Sequence, residues 1–255
     1  MIFSRIYGEG RPLIIIHGLF GMSDNWNSIG KKFAEKFNVH IVDLRNHGRS
    51  FHSHEFSYSH MSGDIEEYIK YYDLQNPILL GHSLGGKVAM HLCFRNPLLY
   101  SKLIVVDIAP KKYSIDFHEN ILEILTNLSL QDYSNRSEID NALSSEINDF
   151  AIRQFLMKNL YRDEKKEFRW RFNILTLKEK LNNISEIDFS NINIDIPALF
   201  LKGELSNYIV DEDKQIISSF FSNNQIKSIA NSGHWIHAEQ TELFYKSVMD
   251  FIAQE

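Results

Sequence analysis

Four stretches of the chain, 13–16, 39–44, 78–80 and 103–106, are apolar on nearly every position rather than on alternate ones. A strand with no polar face is covered by helices on both sides, so these runs predict inner strands of a parallel sheet. The residues between them follow a helical period instead. Trp26, Ile29, Phe33 and Phe37 share one face, as do Met61, Ile65, Tyr68, Ile69 and Tyr72 over 59–72, and helix-forming residues fill 87–94. Residues 2–7 read as a short opening strand turning through Gly8-Glu9-Gly10. Strand and helix alternating at this spacing predict an α/β fold, with a mostly parallel central sheet flanked by helices and functional groups at the carboxyl ends of the strands.

From Lys111 to about Ser190 the strand rhythm stops. Helical patterns replace it: Ile121, Leu122, Ile124, Leu125 and Leu128; Ile139, Leu143 and Ile147; Phe150, Phe155, Leu156 and Leu160; and Trp170, Phe172, Ile174, Leu175, Leu177 and Leu181. The stretch is too long for a connection and too periodic for a loop, so it predicts an inserted helical lid. A strand at 196–202, a helix at 211–221, a strand at 225–230 and a helix at 239–252 then resume the alternation. The expected organisation is a core of residues 1–110 and 191–255 with a lid of residues 111–190, folding as one unit.

Composition narrows the function classes. A chain of 255 residues with 44% hydrophobic content can bury one substantial core. A net charge of −6 argues against a nucleic-acid binder, which presents a basic face. The lone Cys93 excludes an intrachain disulfide and fits a reducing compartment, and its spacing from Val88, Ala89 and Leu92 assigns it to core packing. No apolar run is long enough to span a bilayer and the first residues lack a signal-type apolar region, so a cytoplasmic protein is expected.

Candidate chemistry gathers at strand ends. The run 78–80 leads into Gly81-His82-Ser83-Leu84-Gly85 and then a helix. A G-x-S-x-G between strand and helix is a nucleophile elbow, whose strained turn exposes the hydroxyl while glycines relieve contacts with neighbouring backbone. Ser83 is therefore the candidate nucleophile. It needs a base, and of eleven histidines His234 has the best placement, in Asn231-Ser232-Gly233-His234-Trp235 after the last strand. His237 falls within the following helix, and His82 is expected to point away. Oxyanion donors are expected at the amide of Leu84 and in the His17-Gly18 loop. The loop 43–50 reads as one held together by Asp and Arg hydrogen bonds to backbone. His52 and His54 join no ligand cluster, so no metal and no other cofactor is expected.

In this order, the His17-Gly18 loop, Ser83 in G-x-S-x-G and Gly233-His234 resemble the α/β-hydrolase family. More narrowly, Asp43-x-Arg45-Asn46-His47-Gly48-x-Ser50, Gly81-His82-Ser83-x-Gly85-Gly86-Lys87, Val106-Asp107-Ile108-Ala109-Pro110 and Gly233-His234-Trp235-Ile236-His237-Ala238 resemble its YbfF-like bacterial acyl-esterase branch. The resemblance runs from about residue 10 to 252, with the lid similar only in being helical. It implies a Ser-His-Asp triad and favours the amide of Leu19, with Phe20 as the alternative, as the second oxyanion donor. The family's usual acid follows the glycine after the penultimate strand, yet after Gly203 this chain has Glu204-Leu205-Ser206. Asp107, at the end of the preceding strand, can reach the same imidazole, and the YbfF-like branch points to it. It is preferred over Asp211, with Glu204 and Asp213 behind.

The expected activity is hydrolysis of carboxylic esters or thioesters, acyl-CoA among them, through an acyl-enzyme. The partner is then a small-molecule acyl substrate, with no nucleic acid and no membrane span, and the oligomeric state is left open. Transacylation, perhydrolysis and C–C hydrolysis use a similar triad and stand as alternatives, with a non-catalytic ligand-binding protein behind them. Haloalkane dehalogenation is disfavoured because its nucleophile is an aspartate where this chain has Ser83. In the lid, Lys158, Arg162, Lys165, Lys166, Arg169 and Arg171 interleave with Asp163, Glu164 and Glu167, which reads as a solvated face rather than an anion site.

Overall fold

The computed structural model describes residues 1–187 and 193–254. Its first part runs β1 (Ser4–Tyr7), β2 (Pro12–Ile16), α1 (Asn27–Phe33), β3 (Asn38–Val42), α2 (Tyr58–Tyr71), β4 (Ile78–His82), α3 (Leu84–Arg95) and β5 (Lys102–Val106). There follow α4 (Asp116–Asn127), α5 (Arg136–Ser144), α6 (Phe150–Met157), β6 (Leu160–Arg162), β7 (Phe168–Trp170) and α7 (Ile174–Lys180). The chain closes with β8 (Ala198–Gly203), α8 (Asp213–Phe220), β9 (Asn224–Ile229), α9 (Ile236–Glu239) and α10 (Thr241–Ile252). Seven strands form one sheet in the order β1-β3-β2-β4-β5-β8-β9. Only β1 runs antiparallel to its neighbour; the other pairings are parallel. This is the mostly parallel, helix-flanked α/β sheet that the apolar runs predict.

The reason those runs lack a polar face is visible in the packing. Leu13, Ile15, Leu80, Ile104 and Val106 point to one side of the sheet, against Ile29 and Phe33 of α1 and Phe244 and Val248 of α10. Their neighbours Ile14, Ile16, Leu79, Leu103 and Val105 point to the other, against Ile65 of α2 and Val88 and Leu92 of α3. Alternate side chains of each strand therefore enter two different helical layers. Each fully buried aliphatic side chain contributes roughly 1.5–3 kcal/mol of transfer free energy. Cys93 packs fully buried in the second layer.

Between β5 and β8 the described residues form four helices and a two-stranded hairpin, β6 paired antiparallel with β7. The expected division between residues 190 and 191 lies outside the described residues. Sequence periodicity predicts continuous helix through Trp170 and Phe172, whereas Phe168 and Trp170 sit on β7 and bury alternately around exposed Arg169. The Asp163 side chain accepts hydrogen bonds from the amides of Lys165 and Glu167 and closes the turn. Apolar residues spaced by two follow the strand period rather than the helical one, and the turn pairs the two strands. The helix expected over 239–252 is α10, and a separate short helix, α9, precedes it directly after the His234 loop.

The sheet's centre is a close approach of backbones. A Cβ on Gly81 would stand 2.2 Å from the carbonyl oxygen of Gly85, and one on Gly85 would stand 2.3 Å from that of Ile16. Only hydrogen fits between β2, β4 and the start of α3. Gly81→Ala is accordingly expected to cost about 2–4 kcal/mol, the range of overpacked and strained core sites. A urea unfolding midpoint equal to wild type would contradict that packing.

Candidate active site

Ser83 follows β4 with φ 51° and ψ −118°, and α3 starts at the next residue. A residue with a side chain adopts such a backbone at a cost of order 1–3 kcal/mol, held here by the hydrogen bond from the Ser83 amide to the Val106 carbonyl at 3.0 Å. The amide of Leu84 opens α3 and has no intrahelical acceptor by position. The amides of Leu19 and Phe20 have no acceptor among the described residues. Phe20 sits at φ 60°, and its carbonyl accepts a 2.8 Å hydrogen bond from Asn159 Nδ2.

His234 lies on the loop between β9 and α9, and its Nδ1 meets Asp107 Oδ2 at 2.7 Å. Asp107 is fully buried at the end of β5, with its own backbone at φ 52°. Its Oδ1 accepts from the Gly203 amide at 3.1 Å, and its Oδ2 also accepts from the Ser206 hydroxyl. Ser206 stands where the family's usual acid would, and its hydroxyl donates to Asp107. Asp211 is elsewhere: its side chain is 81% exposed and pairs with Lys214 at 2.8 Å. Glu204 accepts from the amide of Asn231, and Asp213 is bound to Lys111.

The His234 ring is held on two further sides. Tyr208 stacks on it at 4.0 Å between centroids, and His82 lies 4.5 Å away. His82 Nε2 donates to the His234 carbonyl at 2.9 Å, so the residue before Ser83 grips the backbone of an imidazole that lines the same cavity as Ser83. That role was not expected from the sequence, in which His82 points away; its place on the strand beside Ser83 is the one signal that it stands at the same edge. Behind the Leu19 loop, His17 donates from Nδ1 to Gly18 O at 2.8 Å and accepts at Nε2 from the Leu44 amide at 3.0 Å. The loop 43–50 is closed by buried Asp43, which accepts from the amides of Ser23 and Arg49, and by the Arg45–Asp64 ion pair at 2.6 Å.

Ser83 and His234 open onto a cavity of about 330 Å³ lined by Leu19 and Phe20 from the core and by Ile121, Ile152, Phe155 and Leu156 from the segment between β5 and β8. Among the described residues no three His, Cys, Asp or Glu side chains converge as metal ligands. None of the described helices is long and apolar enough to cross a membrane.

A family model described as alpha/beta hydrolase fold matches residues 11–241. The chain belongs to the α/β-hydrolase family. A solved structure named marine microorganism esterase superposes with a TM-score of 0.95 at 40% identity, covering 98% of each chain. A Haemophilus influenzae protein provisionally named an esterase/lipase is 37% identical, with 94% of this chain and 82% of that protein covered. Esterase YbfF of Escherichia coli is 28% identical over 94% of this chain and 92% of its own, in keeping with the expected esterase branch.

This α/β-hydrolase buries several neutral imidazoles, some at the candidate site and some elsewhere in the core. Burial lowers the pKa of His17 and His40 to about 4 and of His47 and His237 to about 3, and burial with neighbouring imidazoles pushes His82 well below its usual value. Between pH 6.5 and those values such an imidazole takes up its proton only in the unfolded chain, so stability is lost as pH falls through that window. Each group contributes about 1.4 kcal/mol per pH unit there. The urea midpoint is expected to drop steeply between pH 7 and pH 5, and His47→Gln to flatten that slope by one proton's share. A midpoint independent of pH over this range would contradict the burial of neutral histidines.

Proposed function

We propose that the protein is a serine hydrolase that cleaves carboxylic esters or thioesters through an acyl-enzyme. The observation that carries this reading is the bond between His234 Nδ1 and buried Asp107, on a ring that shares a cavity with Ser83. With its Nδ1–H hydrogen-bonded to the Asp107 carboxylate, His234 presents an unprotonated Nε2 as the base. Nε2 takes the proton of Ser83 Oγ as that oxygen adds to the acyl carbon. The amides of Leu84 and Leu19 stabilise the oxyanion, worth about 3 kcal/mol per donor. Protonated His234, steadied by Asp107, returns the proton to the departing alcohol or thiol oxygen or sulfur. Water, deprotonated by the same imidazole, then releases the acid and restores Ser83.

The esterase names of its relatives support the reaction class. Residues 111–187 serve in this reading as a lid whose apolar side chains receive the acyl chain. A cytoplasmic place fits the single buried thiol of Cys93.

Two experiments check the reading. A fluorophosphonate probe should label Ser83 in the wild type and lose that labelling in His234→Ala; a protein that is not labelled at Ser83 would be a binder rather than an enzyme. With p-nitrophenyl butanoate, Asp107→Asn should lower kcat by about three to four orders of magnitude, since the amide fixes the wrong tautomer of His234. Asp211→Asn should stay within about twofold of wild type, as surface substitutions do. Loss of turnover in Asp211→Asn alone would reverse the assignment of the acid.

A further inference from the structure

The turn that presents the Leu19 and Phe20 amides is a strained one. The Gly21 amide closes it on the Gly18 carbonyl at 2.9 Å, and Phe20, its third residue, sits at φ 60°. That position favours glycine, and a residue with a side chain stays there only where its surroundings fix it. The core braces the start of the turn, where His17 Nδ1 donates to Gly18 O. Phe20 itself is braced from the segment between β5 and β8. Phe172 packs against its ring with centroids 5.4 Å apart, and Asn159 Nδ2 donates to its carbonyl at 2.8 Å. No other donor reaches that carbonyl among the described residues.

Asn159 lies between α6 and β6 and is fully buried, yet its Oδ1 has no hydrogen-bond partner among the described residues. A buried amide whose oxygen lacks a protein donor is a poor filler of an apolar interior. The bond to Phe20 is therefore what distinguishes Asn159 from an apolar side chain of its size. Its backbone gives that bond a fixed base. The Asn159 amide donates to the Leu156 carbonyl at 2.9 Å, and its carbonyl accepts from the Arg171 amide at 3.0 Å across the open end of the β6–β7 hairpin.

We propose that Asn159 is a positioning residue for the oxyanion amides: its hydrogen bond to the Phe20 carbonyl holds the Leu19–Phe20 turn in the strained form that leaves both amides free for the developing anion. The inference rests on acyl transfer at Ser83 as proposed above. Relaxing φ of Phe20 towards commoner values rotates the peptide plane between Leu19 and Phe20, and with it the Phe20 amide and the loop that carries the Leu19 amide. Donors stabilise a transition state most when they are already aimed before charge develops, so a turn free to relax forfeits part of that stabilisation. Substrate binding in the ground state needs no such aim. The segment that covers the cavity thus also completes the oxyanion site from behind.

Asn159→Leu keeps the volume and removes the donor. With p-nitrophenyl butanoate its kcat should fall by about tenfold to a hundredfold, less than the loss of a whole oxyanion donor, while KM stays within about twofold. Inhibition by the trifluoromethyl ketone of the same acyl chain, which adds to Ser83 as a hemiketal anion, should weaken by the same factor as kcat/KM. A side chain that only packs the segment would alter KM or the urea midpoint without that parallel. Asn159→Ala removes the same donor with less demand on packing, so it should show the parallel even if Asn159→Leu does not fold. Wild-type kcat in a folded variant, a loss confined to KM, or a fall in kcat with unchanged ketone inhibition would each overturn the inference and leave hydrolysis at Ser83 intact. Absence of both turnover and Ser83 labelling in the wild type would overturn the two together.

Discussion

A carboxylate with no exposed surface is the constraint to which the rest of this site answers. Asp107 has left water entirely, and a bare buried anion is strongly unfavourable unless donors replace the lost hydration. They come from three places: the Gly203 amide ending β8, the Ser206 hydroxyl beyond it, and His234 on the loop after β9. Satisfying one side chain at the end of β5 therefore fastens together the next two strands and their loops. Asp107 also holds a positive φ, a backbone conformation that persists only where the surroundings fix it.

The second layer of organisation is neutral hydrogen bonding. His17 uses both ring nitrogens on backbone, His82 holds the His234 carbonyl, and His237 stacks on Trp26 at 3.8 Å. An imidazole suits these places because it can donate from one nitrogen and accept at the other without carrying charge into the core.

Much of this was legible in the sequence because it rests on strong local signals. Consecutive apolar positions at Leu13 to Ile16 or Leu103 to Val106 have one explanation in an α/β chain, burial on both faces. The elbow at Ser83 is equally local. The hairpin at Phe168 and Trp170 is hidden because its strands are three residues each, too short for an alternation to stand out beside the helical pattern after them, and the turn at Asp163 is a side-chain effect. The grip of His82 on His234 joins residues 152 positions apart, which no local pattern carries.

Ser206 shows how a departure from a family pattern becomes readable once geometry is added. An acid on the loop after β8 and one at the end of β5 approach the same face of the same imidazole from adjacent strands, because β5 and β8 are hydrogen-bonded neighbours in parallel register. A carboxylate at the end of β5 therefore lies next to position 206, where a second anion would be repelled and an apolar side chain would leave Asp107 short of a donor. A hydroxyl meets both conditions. The serine at 206 and the aspartate at 107 are in this sense one feature of the fold.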